Sequence, residues 1–307
     1  MLAFLARRLL QYPLILAIIY VTTFLLAWIA PGSPFNNTER QLPPEAEQAL
    51  REKFNADSAW GFLTHYPWRM IQGDFGPSFS SQTEDVGDII ASRLPISMQI
   101  GALAVAIALV VGVILGAFAA VRRGGASDAV STAVALIGVS VPSFVIAAVL
   151  LAVFGFWLGW APYGQWDGSF SQMILPAIAL SLLPMAYVTR LTRVSMIDTL
   201  SADYVRTARA KGLGRLAVIA KHALRNAVLP VLSFIGPAAA GTMVGSFVVE
   251  KVFNVPGLGQ MFVTSVQNRD QTLILGVVMV YSLLLLTLNL LVDVAYTIVD
   301  PRIEVAK

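Results

Sequence analysis

No cysteine occurs in the chain, so neither a disulfide framework nor thiol chemistry is open to it. Histidine is almost as scarce. Only His65 and His222 are present, which makes a histidine-based metal site improbable. The run Gly-x-x-x-x-Gly-Lys-Ser/Thr appears nowhere, so the phosphate-cradling loop of a nucleotide hydrolase is missing. Charge is sparse as well: Asp, Glu, Lys and Arg make up 13% of the residues, against about 25% in a soluble domain. With 57% hydrophobic residues and a mean hydropathy of +0.72, too little polar surface remains to cover a globule of 307 residues. The bilayer is the expected solvent. The net charge of +3 is small, and no nucleic-acid partner is expected.

What the chain has is long apolar runs. A transmembrane helix needs about 20 mostly apolar residues. Six stretches qualify, at roughly Leu9–Ala30, Pro95–Val121, Val130–Leu158, Ser171–Thr192, Leu229–Val249 and Thr272–Val299. The first is longer than the apolar core of a secretory signal peptide, which argues for a retained span. An even number of spans places both termini on one side. That side carries 14 of the 21 Lys and Arg residues, and the other side carries 12 of the 18 acids. The positive-inside rule therefore puts both termini in the cytoplasm. The expected organisation is a first span over 1–30, an extracytoplasmic region over 31–94, a five-helix membrane core over 95–299 and a cytoplasmic tail over 300–307.

The outer region reads as structured. Pro43-Pro44-Glu45 has the form of a helix start, with Leu50 and Phe54 on one face. Trp60, Phe62, Tyr66, Trp68 and Phe75 supply apolar area, either as an interfacial aromatic belt or for docking a partner. Within the spans, Gly112-x-x-x-Gly116 and Gly241-x-x-x-Gly245 predict close helix approach. Pro142, Pro176, Pro184 and Pro237 free backbone carbonyls in mid-span, so such sites face protein or a water-filled cavity rather than lipid.

Between the fourth and fifth spans lies a basic segment. Ser201 is the predicted N-cap of a short helix, with Asp203 in its first turn. Tyr204 to Lys211 continues it, and Gly212 is the predicted stop. A helix of about ten residues covers only about 15 Å, so it lies on the membrane face rather than crossing. A second helix runs from about Arg215 to Val228, with Leu216, Ile219, Ala223 and Ala227 on its apolar face. Positive-inside charge or binding of anionic lipid accounts for the basic residues. Neither accounts for a capped helix, a glycine hinge and a returning helix, a shape suited to entering a groove on a soluble partner.

This segment resembles the EAA loop of permease subunits of binding-protein-dependent ABC importers. Gly212 stands at the loop's glycine and Ala208 at its second alanine. Arg206 replaces the glutamate, and His222, Leu224 and Arg225 stand where Ile, Leu and Pro are usual. These departures are the form typical of the peptide/nickel branch. Further segments of that branch run along nearly the whole chain: Arg7-Arg8-Leu9-Leu10, Ala30-Pro-Gly-Ser-Pro34, Gly73-Asp-Phe-Gly-Pro77, Val141-Pro-Ser-Phe144, Glu250 to Gly259, Asn268-Arg-Asp270, Asp293 and Asp300-Pro-Arg302. The chain looks most like a B-type permease subunit of an oligopeptide importer.

The resemblance implies an all-α type I importer fold with six spans in a bacterial inner membrane. It also implies a second homologous permease, two cytosolic ATPases and an extracytoplasmic peptide-binding protein. ATP and magnesium would sit on the ATPases, so this chain would bind no cofactor and would not be an enzyme. About Ser201 to Arg215 would be the coupling helix. Its ATPase-coupling residues would be Ser201, Asp203, Tyr204, Arg206, Thr207, Ala208, Arg209, Lys211 and Gly212, joined by His222 and Arg225.

Four further residues are candidates for the pore or a gate. Glu250 ends the fifth span, and Pro256 and Gly257 follow in a glycine-rich turn. Asp293 is the ionisable group of the sixth span, where it is expected either to line the path or to pair with Arg190 or Arg193. The alternative function is a proton-coupled secondary transporter using Asp293 and Glu250. No internal repeat of the kind such transporters show is visible.

Overall fold

The computed structural model describes residues 2–30, 48, 58–78, 84–160, 166–243 and 245–299. Pro43–Glu45, Leu50 and Phe54 lie outside them. Among the described residues the architecture is helical, and the sole β feature is a bridge between Pro77 and Asp85. The helices are α1 (Leu2–Ile29), α2 (Ala59–Ile71), α3 (Val86–Val121), α4 (Ala126–Ser140) and α5 (Ser143–Leu150), which continues as a π-helix to Trp157. They are followed by α6 (Phe170–Ser201), α7 (Asp203–Ala210), α8 (Arg215–Ala227), α9 (Leu229–Met243), α10 (Phe247–Val252), α11 (Leu258–Asn268) and α12 (Gln271–Val299). Among the described residues four helices are long and apolar enough to cross a membrane, or up to six if each of two bent pairs, α4–α5 and α8–α9, is one span. The chain divides into two compact units. One holds Met1–Ser97 and Pro256–Thr287, the other Met98–Val255 and Leu288–Ala306.

The third and fifth predicted spans are not single helices. Val130–Leu158 breaks between α4 and α5, whose axes bend by 110°. Proline disfavours the α conformation in the residue before it and has no N–H of its own to donate. Val141 is accordingly extended (ψ 125°), and Pro142 becomes the N-cap of α5. The predicted span Leu229–Val249 stops at Met243, and Gly245 at φ 87° separates it from α10. By contrast, Pro176 and Pro184 sit inside an unbroken α6, where both are buried.

The small-residue motifs divide. A Cβ on Gly116 would lie 2.5 Å from the Thr189 carbonyl, and one on Gly112 would lie 2.8 Å from Val188, so α3 and α6 meet backbone to backbone. Gly138 brings α4 equally close to α6, with Leu182 O 2.5 Å from its would-be Cβ. Gly241 has nothing within 4 Å. The second motif therefore makes no close approach: Gly241 looks outward and Gly245 serves a turn.

In the first unit, the aromatics of α2 take opposite roles. Phe62 and Tyr66 are fully buried against Tyr20, Phe24 and Leu275, while Trp60 and Trp68 stay exposed. Complete removal of such a ring from water stabilises by roughly 1.5–3 kcal/mol. Phe62 and Tyr66 thus serve the chain's own core, and Trp60 and Trp68 remain at its surface.

Candidate functional site

The connection between α6 and α9 folds as a compact cap. Ser201 is not the N-cap of α7. It is the last residue of α6, and its hydroxyl donates to the Asp198 carbonyl at 2.7 Å. Ala202, extended at φ −70° and ψ 148°, holds the cap position. Asp203 does sit in the first turn, and its carbonyl accepts the Thr207 hydroxyl at 3.0 Å.

The far end of α7 closes as the sequence predicts. Gly212 has φ 80°. Its N–H donates to Arg209 O at 2.9 Å, and Leu213 N–H reaches back to Ala208 O at 3.3 Å. This paired closure needs a left-handed residue, which glycine supplies without a Cβ penalty. Val205 and Ala208 are the buried face of α7, packed on Val218 of α8. Asn226 donates to the Tyr204 hydroxyl at 2.8 Å and ties the two helices a second time. Everything else on α7 faces outward: Asp203, Arg206, Thr207 and Arg209 are exposed, as are Lys211 and Gly212 beyond it. The Arg206–Asp203 contact, at 3.7 Å between exposed groups, adds little. Arg209 also lines a cavity of about 420 Å³ shared with Leu200, Leu213 and Val218.

Most of the expected apolar face of α8 is present: Ile219, Ala223 and Ala227 pack toward α3 and α6. Leu216 is 82% exposed, whereas Val218, Ala223 and Ala227 are buried. Val218–Leu224 form a π segment. Val218 packs on α7 and Ala223 on the bundle, so the two face different neighbours. Ala223 and Ala227 then pack on Ala120 of α3 and Met196 of α6. His222 is half-buried and Arg225 exposed.

The other candidates lie elsewhere. Glu250 is buried in α10, and its carbonyl accepts Val255 N–H at 2.8 Å. In the other unit, Gly257 N-caps α11, a helix not predicted from the sequence. Its signal was present in Leu258, Met261, Phe262 and Ser265, spaced three and four apart. Ser97 Oγ accepts Leu258 N–H at 2.9 Å, and Arg93 lies 3.5 Å from Pro256 O. Asp293 is half-buried on α12. Arg193 does not pair with it. Both arms of that guanidinium hold Asp128, Nε at 2.6 Å and the terminal nitrogen at 2.9 Å.

Two segments quoted only for their family likeness meet in the first unit. Ser78, next to Gly73–Pro77, donates to the fully buried Asp270 carboxylate. The other oxygen of Asp270 accepts Leu273 N–H at 3.0 Å. Thr272 Oγ1 lies 2.9 Å from both Asp270 and Pro77 O. The Tyr66 hydroxyl is 2.9 Å from Phe75 O and 3.0 Å from Thr272 O. Burial pushes the Tyr66 phenol well above its usual range, so it stays a neutral donor.

Residues 112–305 match the family model described as "Binding-protein-dependent transport system inner membrane component". The chain belongs to this family. It is 40% identical to the oligopeptide transport system permease protein OppB of Haemophilus influenzae, over 99% of this chain and all of that protein. The dipeptide transport system permease protein DppB of Lactococcus lactis is 41% identical over the same shares, 99% and 100%. OppB of Escherichia coli K12 is also 41% identical, again over 99% and 100%. A solved amino acid ABC transporter, crystallised with histidines, superposes with a TM-score of 0.52 at 17% identity. It covers 68% of this chain and 92% of that one. The fold is thus that of a type I importer permease. As an inner membrane component, the chain holds its α7–α8 cap and α10–α12 candidates inside the matched region. Membership of a binding-protein-dependent family leaves the proton-coupled reading of Asp293 without support.

Proposed function

We propose that the chain is one of two permease subunits in an ATP-driven importer of oligopeptides. It forms half of the translocation pore and couples to cytosolic ATPases through α7. The observation that carries this reading is the α7–α8 cap. A helix of two turns buries only Val205 and Ala208 and turns Arg206, Thr207 and Arg209 outward, with Lys211 just beyond. Its rigid glycine closure and its tie through Tyr204 to Asn226 let a push on that face pass to α8 and on to α3 and α6 through Ala223, Ala227 and Met196. Full-length identity to oligopeptide and dipeptide permeases supports peptides as the cargo.

In this reading both termini are cytoplasmic, ATP and magnesium are held by the ATPases, and this chain performs no hydrolysis. A second permease, two ATPases and an extracytoplasmic peptide-binding protein complete the assembly. The experiment is affinity purification of the tagged chain, wild type against Arg206→Glu/Arg209→Glu. Wild type is expected to bring down a second permease and ATPases, and the variant to keep the permease but lose most of the ATPase. Equal ATPase recovery in both would overturn the docking role of α7.

A further inference from the structure

The most deeply packed spanning helix keeps one open stripe. On α6 the exposed positions from Leu183 to Asp198 are Leu183, Tyr187, Arg190, Val194 and Asp198, spaced four, three, four and four apart. On α9 they are Pro230, Ser233, Pro237 and Gly241. A surface made for lipid looks different, as α3 shows with exposed Val110, Ile114 and Phe118. Among the described residues, α9 exposes no large apolar side chain.

Two grooves run along this stripe, and Tyr187 lines both. One, of about 330 Å³, lies between α6 and α9 and includes Ser143, Thr242 and Ser246. The other, of about 470 Å³, lies between α4 and α6 and includes Thr132, Arg190 and Arg193. The Tyr187 ring rests on Phe234 with centroids 5.2 Å apart, which fixes it at the junction. From Leu180 in the first groove to Val194 in the second is fourteen residues of helix, about 21 Å and most of a hydrocarbon core. Of the two cations in the track, Arg193 is neutralised by the two-armed grip on Asp128. Arg190, one turn away, has no ion-pair partner among the described residues and is exposed.

We propose that these joined grooves are a wall along which the transported peptide moves, and that Arg190 receives the peptide's terminal carboxylate. The chemistry fits. Hydroxyls at intervals can exchange hydrogen bonds with a peptide backbone, and a free guanidinium binds a carboxylate with two parallel bonds. The inference rests on the peptide-import reading and adds to it a residue that selects.

Proteoliposomes containing the whole complex and its binding protein provide the test. Uptake of a tripeptide and of its C-terminal amide is measured, each per ATP hydrolysed. Arg190→Gln should lower free-acid uptake about tenfold, the scale of one lost charge-assisted hydrogen bond. Amide uptake should be unchanged, and Arg190→Lys should retain most of the acid preference. Equal losses for both peptides, or no loss, would overturn the assignment. Should Arg190→Gln fail to assemble, Tyr187→Cys and Val194→Cys decide, since the chain has no native cysteine. Labelling of this chain by a charged, membrane-impermeant maleimide, reduced by peptide, supports the wall. Absence of labelling removes it. A wild-type complex that imports no peptide, while the Tyr187→Cys and Val194→Cys variants still label, sinks the peptide-import reading and the carboxylate role with it.

Discussion

Arg193 of α6 and Asp128 of α4 form a two-armed ion pair across 65 residues of chain, and Gly124 N–H adds a third bond to the carboxylate at 3.0 Å. The pair latches the N-terminal end of α4 to α6, and Gly138 brings its C-terminal end onto the same helix. Asp128→Asn or Arg193→Gln should each lower the melting temperature of the detergent-purified protein, because each leaves a charge without its partner. The double variant should melt above the worse of the two singles. A double variant that simply adds the two losses would show that the residues do not act as a pair.

Gly116 tolerates no side chain where α3 crosses α6. Gly116→Val should cost about 1–3 kcal/mol or more through overpacking and reduce the amount of folded protein in membranes. Gly241→Ala should be nearly silent, since its Cβ meets nothing within 4 Å. Fluorescence size-exclusion of tagged variants reads both.

Gly212 at φ 80° is a conformational requirement. Any residue with a Cβ there costs roughly 1–2 kcal/mol of local strain. That penalty falls on the closure of α7 and leaves the spans untouched. Gly212→Val is expected to insert and accumulate normally, yet to uncouple peptide uptake from ATP hydrolysis. Gly212→Asn should be milder, because asparagine enters the left-handed region more readily. Wild-type uptake by the valine variant would rule out a rigid α7 as the transmitting element.

Asp270 is an acceptor on which Ser78, Thr272 and Leu273 converge. Asp270→Ala strands the Ser78 hydroxyl and the Leu273 N–H, each costing about 1–3 kcal/mol when left buried and unmet, while the Thr272 hydroxyl keeps Pro77 O. Ser78→Ala removes a single donor. The first should therefore destabilise clearly more than the second, measured by thermal unfolding. Equal effects would mean that the network is not centred on the carboxylate.

Much of this was legible in local sequence. Apolar runs marked the spans, and Gly212 marked the end of α7, because run length and a left-handed glycine act on their own neighbours. Ser201 ends α6 rather than capping α7, its hydroxyl bonded to Asp198 O within α6 while Ala202 takes the cap position. Pro142 was seen as a kink, but its angle follows from the packing on either side. On α8, Ile219, Ala223 and Ala227 lie on the expected face, and Val218 turns instead to α7. Asp128–Arg193 and Ser78–Asp270 are separated by 65 and 192 residues. No periodicity links such partners, and only the fold brings them together.

The π segment of α8 also makes length a determinant. Val218 faces α7, while Ala223 and Ala227 face the bundle, and the extra residue between them sets the angle between those two surfaces. Deleting one residue from 218–224 would restore the ordinary repeat and turn everything on its N-terminal side by about 100°. The outward residues of α7 would then point elsewhere, although none of them had been changed. In this region a one-residue deletion acts as a rotation, and the chemistry of α7 has meaning only at the phase that the π turn provides.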